Sequence, residues 1–174
     1  MKKRPILDPD DTEACYTQAM RALGHRWHSV EELRRKLRQK GFADGAIQAT
    51  LQRLNEERWL DDERFANALL DSKVRKNLGQ GRIRSHLLAA GVDSALATRV
   101  LREKTDEEAE EHRLRIQCRK KLRQLRRGKR LTAEGDEKDR KKLTAYLLQQ
   151  GYEYERVSVA VREEMRVIEL YPQD

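Results

Sequence analysis

Two adjacent carboxylates, Asp61 and Asp62, follow a tryptophan and lead into an apolar run in NEERWLDDERFANAL, Asn55 to Leu69. Paired acids can do general acid–base chemistry, but that needs a further partner, such as a raised-pKa acid, a histidine or a metal cluster. None stands nearby in the sequence. A helix start accounts for more of the segment. With Asp61 as N-cap, its carboxylate accepts from free N–H groups of the first turn. Asp62 and Glu63 then lie where the helix dipole favours negative charge, and Leu60 and Phe65 take the spacing of a hydrophobic staple.

The other chemically capable residues are sparse. Cys15 and Cys118 lack CxxC spacing and read as free core thiols. His25 and His28 stand three apart with no further Cys or His cluster, so no zinc site is expected, and neither metal nor cofactor is assigned. Gly79-x-Gly81 lacks the Lys-Ser/Thr of a phosphate loop and is expected to break a helix. Trp27 and Trp59 could stack on bases, but both flank expected helix ends and are assigned to packing between repeats.

The elements that must position these residues are helical. Of 174 residues, 37% are hydrophobic, 5% aromatic and 39% charged, a thin core in a Leu/Ala/Arg/Lys/Glu/Gln-rich chain with three prolines. The formal charge of +8 favours nucleic acid, an acidic protein surface or an anionic membrane as partner. No apolar run approaches a membrane span, and Ile6–Leu7 is too short for a signal-peptide core, so a cytoplasmic location and no membrane partner are expected.

Self-similarity supplies the architecture. Glu32 to Leu51, Arg82 to Leu101 and Lys142 to Val161 align on Gly41, Gly91 and Gly151. An aliphatic residue stands eight before each glycine (Leu33, Ile83, Leu143) and a leucine four before (Leu37, Leu87, Leu147), on one helical face. The glycine supplies a left-handed ending, and Phe42, Val92 or Tyr152 folds back on the last turn. An acid then opens the next helix: Asp44, Asp93, and Glu153 or Glu155. Ser29-x-x-Glu32 is a capping box. A further helix precedes each pair. These are Thr12 to Leu23, with Tyr16, Met20 and Leu23 on one face; Asp62 to about Lys76; and Asp106 to about Arg127, with Leu114, Cys118, Leu122 and Leu125 on one face. The expectation is an all-α chain of three tandem three-helix repeats, 12–58, 59–105 and 106–170, forming an elongated, curved, solenoid-like body. The extra length of the third copy is expected in its first helix and in a loop over RRGKRLTAEGDEK.

The segments SxxELxxKLxxKG (Ser29 to Gly41), WLDDERFA (Trp59 to Ala66) and GQGRIRSHL (Gly79 to Leu87) resemble the RecX family of bacterial recombination regulators. The resemblance spans nearly the whole chain, with the third repeat the loosest. It implies a monomeric regulator, not an enzyme, acting in DNA repair and the SOS response. Such a protein lies along the groove of the RecA nucleoprotein filament and depresses its ATPase, strand-exchange and co-protease activities. It also places Leu60-Asp61-Asp62 at the junction of repeats one and two, with no catalytic role.

Charge patterning nominates the contact residues. Arg113 to Arg130 holds ten basic residues and no acid. Arg115, Arg119, Arg123 and Arg126 recur on one helical face, and Lys120, Arg127, Lys129 and Arg130 extend the run, which can track phosphates. A second run is Lys73, Arg75, Lys76, Arg82 and Arg84. The segment from Glu153 to Asp174, with six acids against three bases, is mildly negative. These thirteen side chains are the expected filament- or DNA-phosphate-binding set. The alternative function is direct nucleic-acid binding by a basic helical-repeat protein. Changing Arg119, Arg123 and Arg127 to Glu is expected to leave the helix intact and weaken binding. Asp61→Ala is expected to lower stability by roughly 0.5–2 kcal/mol in a urea melt without abolishing activity; a folded but inactive variant would return that acid to function.

Overall fold

Leu, Arg, Lys, Glu, Gln and Ala fill long stretches without interior proline, and the chain answers with helices. The computed structural model describes residues 8–127 and 132–170; among them there are nine helices and no strand. They are α1 Thr12–Leu23, α2 Val30–Lys40, α3 Asp44–Glu56, α4 Asp62–Val74, α5 Gln80–Ala89, α6 Ser94–Lys104, α7 Glu107–Arg126, α8 Ala133–Gln149 and α9 Tyr154–Leu170. The described chain divides into two compact units. One holds the residues up to Leu69 with Leu87–Val100, the other Leu70–His86 with the residues from Leu101 on, so α4, α5 and α6 each contribute to both.

Helix starts follow local chemistry. Asp61 accepts from the Arg64 N–H at 2.8 Å and its carbonyl from the Phe65 N–H, making it the N-cap of α4. Leu60 and Phe65 are both buried. Asp11, Ser29, Asp93, Asp106 and Thr132 cap α1, α2, α6, α7 and α8 in the same way. Asp44 does not cap: Ala43 occupies the N-cap of α3, and the Asp44 carboxylate takes the Arg38 guanidinium at 2.7 Å. The capping box at Ser29 is half realised. Ser29 Oγ accepts from the Glu32 N–H, whereas the Glu32 carboxylate pairs with Arg26.

The three glycines have φ of 100°, 84° and 88°. After each, the N–H of Phe42, Val92 or Tyr152 bonds the carbonyl five residues back, and the side chain is buried. In the first copy, Leu33, Leu37, Ile47, Leu51 and Leu54 join Phe42 around Cys15, Ala19 and Ala22 of α1. The stripe on α1 therefore lies one residue before the one expected, with Tyr16, Met20 and Leu23 at its margin. The small residues face inward because they let the helices approach closely; spacing alone sets the period of a stripe and leaves its phase open. In the third copy Leu114, Cys118 and Leu122 of α7 pack on Leu143, Leu147, Tyr152, Val157, Val161 and Met165. Cys15 and Cys118 are free and buried, and burial pushes the Cys118 thiol up to about 12. The expected third-copy loop is half helix, since α8 begins at Ala133; the rest of that loop reaches residues outside those described.

One device joins successive copies, and it occurs twice. At the N-terminus of α2, Ser29 Oγ donates to the Ala90 carbonyl, Arg35 donates to the Ala89 carbonyl at 2.8 Å, and the Val30 N–H is accepted by Asp62 at 3.0 Å. At the N-terminus of α5, the Gly79 N–H donates to the Gln150 carbonyl, Arg82 donates to the Gln149 carbonyl at 2.7 Å, and the Gln80 N–H is accepted by Glu110 at 2.9 Å. Helix starts thus supply donors to the carbonyls of the next copy's glycine turn, and a carboxylate from the next copy caps them. This settles the acid pair: Asp61 caps its own helix and Asp62 caps α2. It also corrects Gly79-x-Gly81, which opens α5 instead of breaking a helix. A Cβ on Gly79 would lie 2.5 Å from the Gly151 carbonyl carbon, and one on Gly151 would lie 2.1 Å from the Arg82 nitrogen.

All three turn glycines should resist alanine, since a left-handed non-glycine residue costs roughly 1–2 kcal/mol. Gly91→Ala and Gly151→Ala should lose more than that backbone cost in urea melts, because their Cβ would also strike Glu31 or Arg82. Losses at Gly91 and Gly151 no larger than the backbone cost would show that the close approach is relieved without penalty.

Candidate functional site

The basic run of α7 begins after an acidic first turn. Asp106 caps it, Glu107, Glu108 and Glu110 follow, and the cations gather toward the C-terminus, the arrangement that the helix dipole favours. In space the run is not free of acids. Arg115 pairs with Glu111 at 3.0 Å and with Glu163 of α9 at 2.7 Å. Arg119 lays its Nε against both oxygens of Glu164, at 2.9 and 2.8 Å; the Glu164 side chain is 4% exposed and that of Arg119 55%. Both guanidinium groups are held more firmly protonated, Arg115 chiefly by its bond to Glu163 and Arg119 by its bond to Glu164. Arg126, its side chain 8% exposed, bonds Asp136 at 2.7 Å, while its Nε and Nη1 are buried with no hydrogen-bond partner among the described residues.

Three of the four expected stripe residues are therefore engaged within the fold. Arg123, Lys120 and Arg127 are exposed, and no carboxylate among the described residues pairs with them. Lys129 and Arg130 lie outside the described residues. The Glu163, Glu164 and Asp136 partners escaped sequence reasoning because they stand 10 to 48 residues away from their arginines. The one signal in the sequence was the acid excess after Glu153.

The second run gathers at the corner between α4 and α5. Lys73 lies in the last turn of α4, Arg75 and Lys76 occupy the turn that follows, and Arg82 and Arg84 lie on α5. Arg75, Lys76 and Arg84 are exposed, and Lys73 and Arg82 half-buried. His86, absent from the expected set, stands among Lys73, Arg82 and Lys76; its pKa is lowered by burial first and by those three cations next. The turn is anchored from behind. Gln117 Nε2 donates to the Lys76 carbonyl at 3.2 Å and the Tyr152 hydroxyl to the Asn77 carbonyl at 2.8 Å.

The tryptophans differ. The Trp27 ring, 37% exposed, carries the Arg64 guanidinium 4.2 Å from its centroid, a packing contact between the first two copies. Trp59 is 46% exposed. An open cleft of about 460 Å³ is lined by Glu107, Glu108, Glu111, His112, Arg115 and Arg156, with Arg156 tied to Glu107 at 3.2 Å. Among the described residues no group of three His, Cys, Asp or Glu side chains is placed to hold a metal, and no helix is long and apolar enough to cross a membrane.

The three-helix domains have known counterparts. Residues 15–54 match the family described as RecX, first three-helix domain, and residues 61–101 match RecX, second three-helix domain. The regulatory protein RecX of Pelodictyon phaeoclathratiforme is 34% identical over 158 residues, covering 90% of this chain and 92% of its own. The chain belongs to the RecX family. The Serratia proteamaculans RecX regulatory protein is 30% identical, covering 84% of this chain and 95% of its own. The crystal structure of RecX from Lactobacillus salivarius shares the fold, with a TM-score of 0.69 at 19% identity over 88% of this chain and 96% of that one. As a RecX-family member the chain is a regulatory protein built from tandem three-helix domains.

The ion pairs change the choice of charge-reversal variant. Lys120→Glu, Arg123→Glu and Arg127→Glu together should leave the thermal midpoint nearly unmoved, since Glu suits a helix and no internal pair is broken. Arg119→Glu should cost about 1–3 kcal/mol, because it sets a second carboxylate against the buried Glu164 while Arg119 itself is half exposed. A Tm for Arg119→Glu equal to that of the triple variant would show that the Glu164 pair contributes nothing.

Proposed function

We propose that the protein binds the RecA nucleoprotein filament and depresses its ATPase, strand-exchange and co-protease activities, contacting recombinase and DNA phosphates together. It acts in the cytoplasm as a monomeric regulator of recombination and the SOS response, with repeats 12–58, 59–105 and 106–170 as its contact modules. RecX-family membership supports the regulatory role. The observation that carries the phosphate contact is the set of exposed cations that no carboxylate among the described residues pairs with, Lys120, Arg123 and Arg127 on α7 and Arg75 and Lys76 at the α4–α5 corner. Lys73 and Arg82 flank that corner, Arg84 lies beside them, and Arg115, Arg119 and Arg126 shape the surface from within it.

A second reading, direct binding of nucleic acid, draws on the same cations. It requires tight binding to naked DNA with a salt slope of roughly −0.7 per phosphate for single strands. The test is RecA ATPase on single-stranded DNA titrated with this protein. Inhibition is expected far below the Kd for bare DNA, and the Lys120→Glu/Arg123→Glu/Arg127→Glu variant should need at least about tenfold more protein, attraction having become repulsion. No inhibition at saturating protein, with tight binding to naked DNA, would replace the leading reading by the second.

A further inference from the structure

We propose that the corner between α3 and α4 docks a protein surface, with the Trp59 indole as its anchor and the recombinase, not its DNA, as the partner. The proposal rests on the filament reading above and adds a contact that the basic residues do not make. Residues 55–59 are all exposed, and Trp59, expected to pack between repeats, keeps 46% of its surface open. The ring does not stand on a loose loop. The Arg58 N–H bonds the Asn55 carbonyl at 3.0 Å and the Trp59 N–H bonds the Leu54 carbonyl at 2.9 Å, closing α3. On the other side Leu60 is buried and Asp61 caps α4. The indole is thus presented on a fixed backbone, and binding has little order left to impose. Arg58 takes the left-handed position of this helix ending, with φ of 59°. The three repeat turns fill that position with glycine, which adopts it without steric cost. An arginine there keeps a strain that glycine would relieve, and such strain collects at binding sites. Arg58 and Trp59 are consecutive, exposed and of the residue types that carry most binding energy in protein interfaces.

Charge decides between protein and nucleic acid. An exposed indole can also stack on an unpaired base, but each base brings a phosphate with it. In a chain with a net charge of +8, this corner carries Glu56, Glu57 and Asp61 against Arg58. Arg53 does not neutralise them, since it is shared between Glu57 at 2.9 Å and Glu13 at 2.8 Å. Glu56 is exposed and takes the uncharged Gln52 amide at 3.0 Å. A phosphate chain laid over the indole would run onto acidic ground. A protein pocket that is apolar at its centre and basic at its edge meets both the ring and its surroundings. Different residues then serve the two components of the filament: cations serve the DNA, and an acid-edged tryptophan serves the protein.

The test uses the whole protein with the RecA filament on single-stranded DNA, and with the same DNA alone. Hydroxyl-radical oxidation of Trp59 in the wild type, read by mass spectrometry, should fall by about threefold or more on adding the filament, as an anchor enters a desolvated pocket. The DNA alone should leave it unchanged. Trp59→Ala should keep the fold, its ring being half exposed, and should need roughly tenfold more protein for half-inhibition of the ATPase. Its affinity for a naked oligothymidylate should match wild type. Glu56→Lys should weaken filament inhibition by about threefold while tightening binding to naked DNA, opposite signs that a phosphate-binding corner cannot give. Trp59 equally oxidised at a concentration that inhibits the ATPase, or a folded Trp59→Ala of wild-type potency, would overturn the proposal and leave the filament reading standing. Protection by DNA alone would assign the ring to base stacking and overturn it as well. A wild type that neither binds nor inhibits the filament would overturn both.

Discussion

The start of one middle helix seated on the glycine turn of the next copy is the contact on which the rest depends. A helix leaves its first N–H groups and last carbonyls without internal partners. Here the two deficits meet. Donors at the start of α2 and α5 reach carbonyls at the ends of α5 and α8, and Asp62 or Glu110 accepts from the first N–H of each middle helix. The contact works because glycine stands at the turn, where a side chain would collide and φ is positive. A short three-helix unit has a marginal core. Pairing buried helix ends removes a desolvation cost that each copy would otherwise bear alone.

The same economy governs charge. Much of the basic run of α7 is spent inside the third copy, where Glu163, Glu164 and Asp136 neutralise Arg115, Arg119 and Arg126. These pairs align α7 with α9 and with the start of α8 and leave Lys120, Arg123 and Arg127 with no carboxylate partner among the described residues. At the α4–α5 corner, by contrast, no carboxylate among the described residues pairs with Lys73, Lys76 or Arg82. The Lys76 and Asn77 carbonyls of that turn are held by bonds from Gln117 and Tyr152.

Much of this protein was determined by sequence alone. Nine helices among the described residues, the three glycine endings, the helix starts at Ser29, Asp61 and Asp93, and the inward aliphatic positions at −8 and −4 all rest on hydrogen bonds and periodicities that span a few residues. The resemblance carried by the same segments pointed to the family. The tertiary structure decided what depends on neighbours distant in the chain. It chose Cys15, Ala19 and Ala22 over Tyr16, Met20 and Leu23 as the inward face of α1, because helix packing sets the phase that a period leaves open. It gave Asp62 and Glu110 their capping roles on helices that start about 30 residues earlier. It also divided the basic residues into those with internal counter-ions and those facing outward, and it put His86 among cations, since Coulomb interactions depend on distance in space and not on separation in sequence.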